Sequence, residues 1–353
     1  MSSNVKLIAL CLISILLTQC NKKDSFEEVN TEVLNLPDVD FDYSSTNWPA
    51  HILNALNLTD NTPADNPITD EGATLGRVLF YDKKFSANQT VSCASCHIQS
   101  ESFADHNVLS QGFLGGLTDR HSMPILNIRF YESGKMFWDE RSPTLEHQVL
   151  QPIQNEVEMG LSLDTLIQRI NAASYYPDLF EKAFGSRVAD TVLVAKALAQ
   201  FIRSVVTFQS RYDRIKGGLE TFTEEEAEGE RLFVTAPPGG GIACSGCHTP
   251  PMFITSSPQG PFSLLDPNDL GINNERRFKS PSLRNISIRR SLFHNGSVID
   301  VENMLSRPPG SGVAPIPAHT IAPPNVASMV AFLNTLTDAT ILSEEKFSDP
   351  FIP

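Results

Sequence analysis

The chain has 353 residues, enough on length for two domains, and 41% of them are hydrophobic, which excludes a disordered protein. Its formal charge is -14, from 27 Lys and Arg against 41 Asp and Glu. That balance excludes a nucleic-acid partner, whose phosphates must be neutralised by basic side chains, and suits a partner with a basic patch.

Residues 1–20 read as a lipoprotein-type export signal. Lys6 supplies the positive charge, and residues 7–17 form an apolar run too short to span a bilayer. The run ends in Leu17-Thr18-Gln19-Cys20, which resembles a lipobox although Gln19 is larger than the usual residue. Cys20 would then carry lipid and be the sole membrane contact, which places the protein in a bacterial periplasm. Residues 21–65 are polar, acidic and broken by Pro and Asn, and read as a tether and extension with little helix. Trp48 within them is expected to pack on a domain surface.

A helix should open at Thr69, with Asp70 and Glu71 at its positive end and Leu75, Val78 and Leu79 on one face. Cys93-Ala94-Ser95-Cys96-His97 follows, and Cys244-Ser245-Gly246-Cys247-His248 repeats the pattern. Both read Cys-x-x-Cys-His, the c-type haem attachment signature. Two thiols add across the two vinyl groups of one porphyrin, and the next residue, His97 or His248, offers an imidazole to the iron. Zinc ribbons place their cysteine pairs about 15–20 residues apart, far closer than here, and a thioredoxin-like pair has no use for the adjacent histidine. Four of the six cysteines are thus committed to two covalent haems, and no disulfide is needed.

Residues 103–127 read as a loop with Gly112, Gly115 and Gly116, placed to wall the open side of the first haem. Helical spacing returns at Leu163, Leu166, Ile167 and Ile170, then over residues 178–184 up to Gly185, then from Asp190 to about Gln209. Thr223-Glu224-Glu225-Glu226 is a capping box that opens a helix toward Phe233. A Gly-Pro patch at residues 237–241 precedes the second haem motif, and a last helix is expected over residues 324–336. Strand patterns are scarce. The expected fold is mostly α, with two cytochrome c-like haem domains, long loops and little sheet. The domains are assigned to residues 66–217 and 218–353, and the repeat to the haem motif and its preceding helix.

The chain resembles the bacterial di-haem cytochrome c peroxidase family, which includes the methylamine-utilisation di-haem enzymes. The resemblance rests on Leu75-Gly76-Arg77-Val78-Leu79-Phe80-Tyr81-Asp82, both haem motifs, Phe137-Trp138-Asp139-Glu140-Arg141, Glu156-Val157-Glu158-Met159-Gly160, Phe278-Lys279-Ser280-Pro281-Ser282-Leu283-Arg284-Asn285 and Phe293-His294-Asn295-Gly296. It implies that the first haem reduces hydrogen peroxide while the second takes electrons from a small cytochrome or copper protein, and it admits a homodimer. It also implies that Glu158 shuttles protons, that Gln148 orients peroxide and that Trp138 relays electrons between the haems. Arg141 is expected to pair with a haem propionate or with Asp139.

The departures are as informative. Many members have a plugging histidine sixteen residues after the first haem histidine, where this chain has Phe113, so the first haem is expected to be open. His106 and His121 are the nearby rivals. His121 replaces an asparagine of the family's calcium site, and the carbonyl-donating stretch reads Arg289-Arg290-Ser291, which leaves calcium an open question. The second haem's axial ligand is Met or Tyr in the family, but the matching position is Pro308, which cannot ligate. Met304, one helical turn earlier, is the candidate, with His319 and Met329 also open and a core role for Met304 equally compatible. Two other functions compete with the peroxidase: a di-haem electron carrier without peroxide chemistry, and a di-haem oxidase of a protein or organic substrate.

Overall fold

The computed structural model describes residues 33–56, 59–254, 268–306 and 319–352. The export signal, Cys20, residues 21–32 and 57–58 of the tether and extension, and Pro308 lie outside the described residues. The described chain is mostly helical. Its helices are α1 (Ala50–Leu56), α2 (Asp70–Tyr81), α3 (Leu145–Gln148), α4 (Gln151–Gln154), α5 (Leu163–Ala172), α6 (Tyr176–Phe184), α7 (Thr191–Ser204), α8 (Arg211–Lys216), α9 (Glu224–Val234), α10 (Val301–Ser306) and α11 (Val326–Asn334). Among the described residues the sheet is one two-residue antiparallel ladder, β1 (Val33–Leu34) on β2 (Phe351–Ile352), with Val33 opposite Ile352. No helix among them is long and apolar enough to cross a membrane.

The caps expected from sequence close the helices they were assigned to. Thr69 accepts from the Gly72 amide at 3.0 Å to open α2, and Asp190 accepts from Leu193 at 2.8 Å to open α7. At α9 the Thr223 hydroxyl takes the Glu226 amide and the Glu226 carboxylate takes the Thr223 amide, satisfying two orphan donors. Gly185 ends α6 at φ 70°, a left-handed conformation open to glycine. Among the described residues of 21–65 the helix content is α1, which forms where Ile52 is fully buried against Phe130, Tyr131, Phe208 and Met252. One expectation differs from the structure. Helix α7 stops at Ser204, short of Gln209, because the Val205 carbonyl is taken by the Asn127 amide.

The internal repeat runs further than the haem motif and its preceding helix. Helix α2 crosses α7 at Gly76, where a Cβ would lie 2.0 Å from the Ala197 carbonyl oxygen. Helix α9 crosses α11 at Gly229, where a Cβ would lie 2.0 Å from the Ser328 carbonyl oxygen. Only glycine permits either approach. Asn127 and Asn285 both hold φ 57°, and both tie a loop to the segment after the partner helix. Asn127 donates its amide to Val205 and accepts from Thr207 N at 3.0 Å, and Asn285 donates to Leu336 and accepts from Asp338 N at 2.6 Å. Beyond each asparagine lies a bridge, Met136–Ser142 in one half and Leu292–Val298 in the other. Each bridge encloses a phenylalanine at φ 68°, Phe137 or Phe293, followed by Trp138 or His294.

Two apolar clusters follow the repeat, one built on α2, α5, α6 and α7 and the other on α9, α10 and α11 around Phe332. Tyr212 of α8 already belongs to the second cluster, while Ile341 and Phe347 return to the first. Trp48 packs as expected, edge-on to Phe130 and Phe208 with the Arg129 guanidinium 4.9 Å from its ring.

A buried ion pair joins the extension to the second half. Arg284, with no exposed side-chain surface, donates to both Asp213 carboxylate oxygens at 2.7 Å, and His51 Nε2 lies 3.0 Å from the same carboxylate. Burial raises the Asp213 pKa, but the hydrogen bonds and charge of Arg284 outweigh it and hold it below the usual carboxylate value. The stabilisation it contributes is present above the unfolded carboxylate pKa and is lost as pH falls through the lowered one. Removing Asp213 strands a buried guanidinium, so Asp213→Ala should lose about 3–5 kcal/mol in denaturant unfolding of the purified protein. Glu228→Ala, which breaks an exposed pair with Arg231, should leave the denaturant midpoint nearly unchanged.

Candidate haem cavities

Each cysteine pair sits on a single tight turn. Cys96 N and His97 N both point back to the Cys93 carbonyl, at 3.2 and 3.0 Å, and Cys247 N and His248 N to that of Cys244, at 3.1 and 2.9 Å. The turn gathers two thiols and an imidazole at one place. The two turns open onto separate cavities, of about 770 Å3 for the first and about 170 Å3 for the second. The pairs therefore do not converge on one tetrahedral metal site. His97 Nδ1 lies 3.1 Å from the Phe103 carbonyl, an acceptor only, so Nδ1 carries the proton and Nε2 is left as a ligand. Burial pushes the His97 and His248 pKa values down, keeping both rings neutral, as ligation requires.

Glu158 and Gln148 both line the first cavity. Gln148 is the last residue of α3, which Thr144 caps. Glu158 sits in a tight loop after α4, where Asn155 Oδ1 accepts from Val157 N at 2.8 Å and Glu158 N at 3.2 Å. Burial pushes the Glu158 pKa up, with Arg141 opposing and Asp119 adding to the rise. The glycine loop docks on this segment: Phe113 N donates to the Glu158 carbonyl at 3.0 Å, and a Cβ at Gly112 would lie 1.7 Å from the Val157 oxygen. The Phe113 ring packs against Gly160, whose Cβ would lie 2.5 Å away, and is not among the residues that line the cavity. His106 is half exposed beside Asp105 and is also absent from the cavity wall.

Trp138 lines both cavities, together with His121 and Pro124. Its indole N–H donates to the His121 carbonyl at 2.7 Å. His121 Nδ1 lies 3.0 Å from the Val108 carbonyl, and its buried Nε2 has no hydrogen-bond partner. At the rim of the first cavity Asp139 pairs with Arg141 at 2.8 Å and with Arg120 at 2.7 Å, and Arg120 forks onto Asp269. Asp139 is one of the two partners expected for Arg141.

The second cavity is lined by Met304, Met329 and His319, and by two buried cations that sequence reasoning did not place there. Lys279 Nζ donates to the Lys135 carbonyl at 3.0 Å and lies 3.8 Å from the Tyr131 ring centre, and burial pulls its pKa down to about 7. Arg289 is pulled down to about 9 by burial, and its Nε has no partner. Buried cations with an orphaned donor require an anion. The propionates of a haem supply one, so the residues fit the group the motifs imply. A lysine in a polar-looking stretch gives no sequence signal of this placement. The side-chain position expected for calcium carries an imidazole, His121, where calcium needs oxygen ligands.

Comparisons with known proteins point to one family. The family profile described as di-haem cytochrome c peroxidase matches residues 70–221. The methylamine utilization protein MauG of Methylorubrum extorquens is 33% identical over 255 residues, covering 69% of this chain and 70% of the relative. The cytochrome c551 peroxidase of Nitrosomonas europaea is 29% identical over 302 residues, covering 82% of this chain and 86% of the relative. The crystal structure of a MauG-like protein associated with microbial copper homeostasis superimposes with a TM-score of 0.71 at 28% identity, covering 87% of this chain and 99% of that one. The di-haem peroxidase BthA of Burkholderia thailandensis shares the fold, with a TM-score of 0.64 at 21% identity over 82% of this chain and 92% of that one. The chain belongs to the di-haem cytochrome c peroxidase family, a family of oxidoreductases built around two c-type haems.

Proposed function

We propose that this protein reduces hydrogen peroxide to water at its first cavity, with electrons that a small cytochrome or copper protein delivers through its second. The observation that carries the reading is the pair of unequal cavities with a common wall of Trp138, His121 and Pro124. Cys93, Cys96 and His97 hold one haem, and Cys244, Cys247 and His248 the other. Bound in the first cavity, the haem iron supplies the electrons that break the peroxide O–O bond.

The chain's own groups handle the protons and the orientation. Reduction of one peroxide to two waters consumes two electrons and two protons. Glu158, ionised, takes the proton from the near peroxide oxygen and returns it to the far one, which leaves as water. Gln148 offers an amide that can donate and accept, and so sets which oxygen faces Glu158. Trp138 lies between the cavities and serves as the route for charge. The partition at residues 66–217 and 218–353 is retained as a proposal, with the final residues, Ile341 to Phe347, counted with the first half that they pack on. Export to the periplasm and lipid attachment at Cys20 belong to the same proposal, since haem attachment in bacteria takes place outside the cytoplasm.

An oxidase of a protein or organic substrate is the second reading. Likeness to methylamine utilization proteins favours it. Turnover of peroxide with a reduced cytochrome c separates the two, because the oxidase reading requires no such donor. Glu158→Gln should lower this turnover by about 10²–10⁴-fold with haem content intact. Because burial raises the Glu158 pKa, the acid limb of the parent's pH profile should lie above the ordinary carboxylate value and should vanish in the variant; an unchanged rate removes Glu158 from the chemistry. The ferric protein as isolated should show one high-spin haem signal, because Phe113 packs on Gly160 instead of blocking the iron. A fully low-spin spectrum contradicts the open site.

A further inference from the structure

We infer that His319 is the second axial ligand of the haem held by Cys244, Cys247 and His248, so that this iron is bound by two imidazoles. The inference rests on the reading that the second motif holds a haem. His248 and His319 both border the second cavity, and their ring centres are 6.4 Å apart with planes inclined at 69°. An iron between two imidazole nitrogens at about 2 Å each, with each ring centre about 1.1 Å behind its nitrogen, separates the centres by about 6.2 Å. An edge-to-face pair can reach the same spacing. Here, however, both residues line one cavity, the one onto which the Cys244–Cys247 turn opens.

The surroundings hold His319 in this position. The Phe293 ring stands edge-on to it, with centres 5.2 Å apart. Ile321 N donates to the Leu305 carbonyl at 2.9 Å, which anchors the segment just after His319 to α10. Helix α10 carries Met304, so the two candidate ligands come from neighbouring segments, His319 from the one anchored to α10 and Met304 from α10 itself. Met304 is buried within the second apolar cluster, among neighbours that include Leu305 and Met329, and this packing accounts for its presence.

The chemistry follows from the ligand. Thioether ligation raises a haem potential relative to imidazole. With two imidazoles the second haem holds its electron at a lower potential, is a stronger reductant toward the first, and must be fed by a correspondingly low-potential donor.

The test uses the full chain purified with its haems, together with His319→Met and Met304→Leu. Haem per chain is counted first, then ferric near-infrared magnetic circular dichroism and a potentiometric titration are recorded. The expected parent spectrum shows the charge-transfer band of a low-spin haem with two nitrogen ligands, unchanged in Met304→Leu. In His319→Met that band should give way to the sulfur-to-iron band, with a higher second midpoint potential. A parent sulfur-to-iron band that disappears in Met304→Leu, or a two-nitrogen band that survives in His319→Met, overturns the assignment and leaves two haems in place. Haem at the first motif alone overturns both the assignment and the reading beneath it.

Discussion

The hydrogen bond from the Trp138 indole to the His121 carbonyl, 2.7 Å long, is the contact on which the rest of the arrangement depends. A buried indole N–H can only donate, and without an acceptor it would cost about 1–3 kcal/mol of desolvation. The bond therefore fixes the ring plane at the wall common to both cavities. It also ties the loop that carries His121 to the bridge-closed turn that carries Trp138. His121 in turn donates its own amide to the His294 carbonyl, so the same contact reaches the matching turn of the second half. Trp138 and His294 stand 6.5 Å apart between ring centres. Two cavities that share so thin a partition can exchange charge without a diffusing intermediary.

The two halves show how one scaffold is divided between two tasks. Both use a glycine-dependent helix crossing, an asparagine in a left-handed conformation and a turn that presents one ring toward the wall. What differs is the lining. The first cavity is large and gathers a carboxylate and an amide, Glu158 and Gln148, and the side chain at position 113 is turned away onto Gly160. The second is small and gathers side chains able to saturate a metal, with Lys279 and Arg289 buried beside it. A roomy site lined by a carboxylate and an amide suits substrate, and a small one suits storage.

Much of this was legible in the sequence because it depends on local chemistry. Thr69, Asp190 and Thr223 cap helices through bonds to residues three positions away. The haem motifs are likewise local. The longer repeat was not legible, since it is carried by backbone torsions and by amide bonds such as Asn127 to Val205 and Asn285 to Leu336, with few side chains in common. Helix α1 and the return of Ile341 and Phe347 to the first cluster depend on distant partners, which no local pattern encodes. The burial of Lys279 and Arg289 belongs to the same class: their charge reads as solvated until the cavity beside them is seen.

The most direct measurement of the central claim starts from the half-reduced protein, with its electron on the second haem, mixed rapidly with one equivalent of peroxide and frozen at successive times. Optical and paramagnetic spectra then follow each haem separately. The account requires the second haem to become oxidised as fast as peroxide disappears, because the wall at Trp138 and His121 conducts. A second haem that stays reduced while peroxide is consumed would contradict it.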